Sequence, residues 1–213
     1  MIDIKDHLVV RDLGLSEYEP TLEKMINFSQ QRDENTADEI WLLEHPPVYT
    51  LGKNGKAHHV LNPGDIPIVQ IDRGGQVTYH GPGQLIAYLL IDVRRKGLGV
   101  RHIVTVMEKA IIHTLSELGI DAKARADAPG VYVDDGKIAA LGLRIKNGKS
   151  YHGLSFNIDM DLQPFHGINP CGYEGLRVIQ LKDLDIIYTI TEIKKSLVEY
   201  FKQALEYNSL ALQ

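Results

Sequence analysis

RGGQVTYHGPGQL, residues Arg73 to Leu85, packs four glycines and a proline around Arg73, Gln76, Thr78, Tyr79, His80 and Gln84. Glycine at this density lets a backbone turn tightly and approach a ligand closely, because no Cβ stands in the way. PIVQID before it reads as a strand, and LIAYLLID after it reads as a longer, fully buried one. A glycine-rich connection between two buried strands can present backbone N–H groups to a bound carbonyl or anion. A plain hairpin has no need of the arginine, threonine, tyrosine and histidine gathered here. The stretch lacks the Gly-Lys-Ser/Thr of a phosphate-binding loop and opens no helix, so neither common nucleotide-binding fingerprint applies.

Outward from this stretch the pattern is mixed. Towards the N-terminus, EIWLLEH and VYTLG read as strands broken by Pro46-Pro47. His7 to Leu13 makes a first strand, followed by a helix with Ser16 and Glu19 at capping-box spacing and Tyr18, Leu22, Met25 and Ile26 on one face. Towards the C-terminus, Ile103, Met107, Ala110, Ile111 and Leu115 predict a second helix capped at Gly119. AKARA, GVYV, KIAALGLRIK and SYHGLSFNID follow as strands, with hairpin turns at Asp135-Gly136 and Asn147-Gly148. An irregular stretch, MDLQPFHGINPCGYEGL, precedes a last helix with Thr189 and Glu192 at capping-box spacing. Consecutive hairpins with three helices predict one α+β domain over residues 1–213, with a mixed, mostly antiparallel sheet.

The composition narrows the function. At 213 residues, with 44% hydrophobic and 24% charged residues, the chain can bury a core without disulfide or metal staples. A net charge of -5 and no basic tail argue against nucleic acid as partner. No apolar run is long enough for a bilayer, no signal peptide is visible, and the single cysteine suits a reducing compartment, so the expectation is cytoplasmic.

Two residues stand out chemically. Cys171 lies in INPCGYEGL between Pro170 and Gly172, on an irregular loop of the kind that presents reactive groups. A lone cysteine is more often a small buried hydrophobe. A free thiol titrates near 8.5, so a nucleophilic one needs a cationic or basic neighbour. Histidine is the usual partner, and among nine, His80 and His152 sit beside glycines in motifs. His58-His59 is a weak pattern for a metal site, and no HxH or HExxH spacing occurs. Lys137 is a further candidate, because it opens the apolar strand KIAALGL, where burial lowers a lysine pKa and makes it a possible base.

RGGQVTYHGPGQL, GKIAALGLRI, YHGLSFNIDMDLQPF and INPCGYEGL together closely resemble the lipoyl(octanoyl)transferase family, in the family's order and over Glu44 to Gly175. The resemblance implies the fold of the biotin/lipoate protein ligase catalytic domain. It also implies transfer of octanoyl groups from octanoyl-acyl carrier protein to a lysine of lipoyl domains, in 2-oxoacid dehydrogenases and the glycine cleavage H protein. The matching positions make Cys171 and Lys137 a catalytic dyad, with a thioester on Cys171 as intermediate. No cofactor or metal is implied, since a thioester donor is already activated. The walls of the acyl slot are then Arg73, Gly74, Gly75, Gln76, Val77, Thr78, Tyr79 and His80, with Ala140, Leu141, Gly142, Gly153, Leu154 and Ser155. Leu141-Gly142 and Gly172 are both open as sources of oxyanion donors.

Acidic protein partners would need a local basic patch on this acidic chain. Arg94, Arg95, Lys96 and Arg101 form one cluster and Arg144, Lys146 and Lys149 another. Three other functions compete, one of them a cysteine hydrolase, which would need His and Asn/Asp positions that nothing in the sequence singles out. An ATP-dependent lipoate or biotin ligase of the same fold would keep activity without Cys171, and a non-catalytic acyl-binding module would never capture acyl covalently.

Overall fold

The computed structural model describes residues 4–213; residues 1–3 of the expected domain lie outside it. Eleven strands and three helices are found among the described residues. The strands are β1 (His7–Leu15), β2 (Asp38–Glu44), β3 (Val48–Leu51), β4 (Ile68–Gln70), β5 (Val77–His80), β6 (Gln84–Leu90), β7 (Lys123–Ala124), β8 (Val131–Val133), β9 (Gly136–Lys146), β10 (Lys149–Asn157) and β11 (Ser209–Leu212). The helices are α1 (Tyr18–Gln31), α2 (Val100–Glu117) and α3 (Ile190–Ala204).

Eight strands form one mixed sheet in the order β11-β1-β2-β6-β10-β9-β8-β7, parallel at β11-β1-β2 and antiparallel beyond. The strands β4-β3-β5 form a second, small sheet. Alternating side chains give the large sheet two apolar faces. Leu85, Ala87, Leu89, Leu154 and Phe156 meet Met107 and Ile111 of α2 and Leu197 and Phe201 of α3. Ile86, Tyr88, Leu90 and Trp41 meet Met25 of α1 on the opposite face. The fold is therefore α+β as expected, in three layers.

The β9-β10 hairpin turns where expected: Asn147 and Gly148 both take positive φ, 53° and 79°, between the paired Lys146 and Lys149. Thr189 and Glu192 form the expected capping box of α3.

Other expectations need correction. Ser16 does not cap α1. Its N–H donates to Glu44 O and its hydroxyl to Leu13 O, so it continues the β1–β2 pairing and the helix begins at Tyr18 without a side-chain cap. PIVQID yields only the three residues of β4, with Ile68 46% exposed, because Pro67 has no N–H to give and the strand lies at an edge. The glycine-rich stretch is not a bare connection, because it contains β5, which pairs antiparallel with β3. The first hairpin turns at Asp134-Asp135, one residue early, since Gly136 already pairs with Val133. AKARA shrinks to Lys123–Ala124, and β11 closes the sheet beside β1 without any sequence warning.

Candidate active site

Lys137 and Cys171 meet through an irregular segment, not through adjacent strands. Residues 177–179 run alongside the start of β9: Lys137 N donates to Arg177 O at 2.8 Å, and Ile179 N to Lys137 O at 3.0 Å. A few residues upstream, a 3₁₀ turn at Pro170–Gly172 carries Cys171 with φ +57°, ψ +14°. That left-handed conformation costs a non-glycine residue about 1–3 kcal/mol, and such strain gathers at functional sites. Asn169 N donates to His59 O at 2.8 Å, which fastens the turn to the loop carrying the two histidines. Lys137 Nζ lies 3.0 Å from Cys171 Sγ and 2.7 Å from Pro129 O, 5.7 Å from the centre of the Tyr132 ring. The lysine side chain is buried, whereas the cysteine is half-buried. A thiol in hydrogen-bond reach of an amine that is itself oriented by a third group is the geometry of an activated nucleophile.

Next to this pair lies a cavity of about 390 Å³ between the two sheets. Its floor carries small residues in register, Gly142 opposite Gly153 and Ala140 opposite Ser155. A Cβ at Gly142 would crowd Arg73 and Gly74 O, and one at Gly153 would run into Ala87 O of β6, so that glycine serves the close packing of the strands. The segment from Arg73 to Thr78, together with His80, lines the other side, and Leu141 and Leu154 complete the expected wall. Cys171 opens onto the cavity, and Lys137 reaches it through Cys171. Tyr79 is the exception. It alternates away from the cavity and packs on Tyr49 and Phe165 across the small sheet, with ring centroids at 5.5 Å in both cases.

The glycines also have a different task from the expected one. Arg73 is buried with no carboxylate partner among the described residues; its guanidinium donates to Gly74 O, Thr50 O and Thr50 Oγ1, each at 2.9 Å. A Cβ at Gly52 or Gly142 would stand 2.9 Å from this side chain, and one at Gly75 3.2 Å. Three glycines thus make room for a buried guanidinium.

Sequence reasoning missed Tyr18 and Tyr88, which line the same cavity as His80 and His152. His45 explains part of this cluster. Its Nδ1 faces Ser16 O, a pure acceptor, so Nε2 accepts the Tyr88 hydroxyl at 2.7 Å. Burial pushes His45 down to about 4 and His80 to about 3, and both are neutral at pH 7. His80 bonds Gln84 at 2.7 Å, and His152, at φ +62°, bonds Asp72 at 3.2 Å. That bond, joined by one from the Tyr151 hydroxyl and by the nearby charge of Arg144, holds Asp72 at about 2. Neither motif histidine is a partner of the thiol.

The basic clusters are only partly free. Arg95 is tied to Asp38 at 2.8 Å, Lys96 to Leu205 O and Lys149 to Arg32 O, both at 2.7 Å, and Arg144 sits 3.6 Å from Asp72. Arg94, Arg101 and Lys146 remain exposed. Among the described residues no group of three or more His, Cys, Asp or Glu could hold a metal ion, and no helix is long and apolar enough to cross a membrane.

The mixed sheet flanked by three helices is the catalytic-domain fold of lipoate and biotin protein ligases. A bipartite lipoate protein ligase of Thermoplasma acidophilum superposes with a TM-score of 0.72 at 16% identity, over 97% of this chain and 86% of that one. The biotin protein ligase of Aquifex aeolicus gives 0.56 at 9%, over 93% and 68%. Residues 19–202 match the lipoyl protein ligase A/B catalytic domain, and the chain belongs to that family. Curated relatives include the octanoyltransferases of Ectopseudomonas mendocina, 62% identical over 83% of this chain and 86% of that one, and of Thiobacillus denitrificans, 55% identical over 93% and 91%.

Proposed function

We propose that this enzyme transfers an octanoyl group from octanoyl-acyl carrier protein to a lysine of lipoyl domains, through a thioester on Cys171. The observation that carries this reading is the 3.0 Å contact between Lys137 Nζ and Cys171 Sγ beside the cavity floored by small residues.

The thiolate of Cys171 attacks the donor's thioester carbonyl, and the tetrahedral intermediate collapses as the carrier's sulfur leaves. The Lys137 ammonium gives that sulfur its proton, so the acyl-enzyme faces a neutral amine. That amine then takes a proton from the incoming lysine, whose nitrogen attacks the acyl carbonyl. The amide forms, and the Cys171 thiolate departs beside the restored ammonium. No ATP enters, because the donor already carries an activated acyl group.

The oxyanion has one well-placed donor. Gly172 N–H is already given to Asn169 O at 2.9 Å. β9 runs on without a β8 partner after Ala139, and Leu143 O accepts from Gly74 N on that open edge. Two-residue alternation turns the Leu141 N–H to the same edge, towards the cavity.

Burying each methylene of the acyl chain stabilises the complex by about 0.8 kcal/mol, so the depth of the trough sets chain-length preference. A chase experiment tests the two half-reactions. Enzyme charged with octanoyl donor and freed of carrier should pass its acyl group to a lipoyl-domain lysine without nucleotide. A requirement for ATP, or full activity of Cys171→Ala, would favour a ligase instead.

A further inference from the structure

Lys137 needs more than a place in β9 to reach the sulfur. Its ammonium has one backbone acceptor, Pro129 O at 2.7 Å, on the segment leading into β8. The next residue, Gly130, is buried and takes φ +150°, a conformation that L side chains rarely adopt. A Cβ there would overlap Lys137 Cε and stand 2.9 Å from Nζ and 2.7 Å from Ala139 O. The path of the lysine stem therefore exists only because residue 130 has no side chain.

The same segment is held from two sides. The Tyr132 hydroxyl donates to Ala128 O at 2.8 Å, and the Tyr173 hydroxyl donates to Asp127 O. Tyr173 lies two residues beyond Cys171, so the loop carrying the sulfur also fastens the segment that holds the ammonium. A charged donor on a carbonyl at this distance is a strong, directional bond. An error of about 1 Å in its direction is enough to cost a reacting pair on the order of 10²-fold.

We propose that Gly130 is a positioning residue: its missing side chain and the neighbouring Pro129 carbonyl form the seat that aims the Lys137 ammonium at Cys171. This inference rests on the reading of Cys171 and Lys137 as a dyad, and the test separates the two.

The measurement is the rate of iodoacetamide alkylation of Cys171 against pH, which needs no acyl substrate. It compares wild type, Lys137→Ala, Gly130→Ala and the double variant, with thermal unfolding run in parallel. Gly130→Ala should slow alkylation at pH 7 about tenfold, approaching Lys137→Ala, and the deficit should close at high pH, where thiolate forms unaided. The double variant should be no slower than Lys137→Ala, because both changes remove one interaction. Octanoyl transfer by Gly130→Ala should lose kcat while KM for the carrier stays within about twofold. Wild-type alkylation by Gly130→Ala, or additive losses in the double variant, would overturn the seat. If Lys137→Ala itself alkylates like wild type, the dyad reading falls instead. Should Gly130→Ala not fold, Tyr132→Phe loosens the same segment without backbone strain. It should slow alkylation roughly threefold, and an unchanged rate would then refute the proposal.

Discussion

Lys137 is buried beside a sulfur and a carbonyl, with no carboxylate among the described residues to balance it. Holding a charge in such a place costs stability, and an apolar residue of similar volume removes that cost. Lys137→Met should therefore leave the melting temperature unchanged or raise it, while acylation of Cys171 in a single turnover falls by about 10²–10⁴. A variant that loses stability along with activity would make the lysine structural. The sequence makes Cys171 visible through its Pro-Gly flanks, but a separation of 34 positions gives no spacing from which to infer its partner. The pair is legible only through the family resemblance, because residues 177–179, which bring the two together, follow no period. Tyr79 shows the converse: a motif read as one wall ignores that a strand turns alternate residues away.

Among the elements, the β9-β10 hairpin carries the clearest sequence signal and the floor of the cavity. Asn147-Gly148 fixes its turn, and the turn fixes the register that sets Gly142 beside Gly153. Gly142→Val would bring a Cβ to 2.9 Å from Arg73 Cδ and 3.3 Å from Gly74 O, closing the trough and overpacking it by about 1–3 kcal/mol. Octanoyl transfer should be lost, with acetyl or butyryl donors retained better. Equal transfer of octanoyl by this variant would place the chain elsewhere. Less of the short elements could be read. β4 is read longer than it is, β5 hides between glycines, and β11 offers four residues whose only reason to be a strand is the open edge of β1. Gly75 shows a limit of reading glycine density, since density alone does not tell room for a ligand from room for the protein's own Arg73 side chain.

The whole molecule is tied together at Asp38, which accepts from Arg32, from Tyr207 Oη at 2.6 Å and from Asp92 N at 2.7 Å, and pairs its charge with Arg95 at 2.8 Å. These partners join the end of α1, the exit of β6 and the approach to β11. Asp38→Ala leaves the Arg32 guanidinium buried and unpaired, so urea denaturation should show a loss of about 3–5 kcal/mol. A loss below about 1 kcal/mol would contradict this. Global stability should also depend on pH through His45 and His80. Their folded values of about 4 and about 3 lie below the ordinary histidine value, so the unfolded chain binds protons that the folded one refuses. Their contribution is fully present above about pH 6.5 and is lost as pH falls from there towards 4, by at most about 1.4 kcal/mol per pH unit for each group. Denaturation midpoints that stay flat between pH 7 and 4.5 would show these rings are not buried neutral. The most direct test of the proposed chemistry is mass spectrometry of the intact protein after incubation with octanoyl-acyl carrier protein and no nucleotide. The prediction is one octanoyl adduct, labile to hydroxylamine and mapping to the peptide that contains Cys171. An adduct on another residue, a hydroxylamine-stable one, or none at all would contradict it.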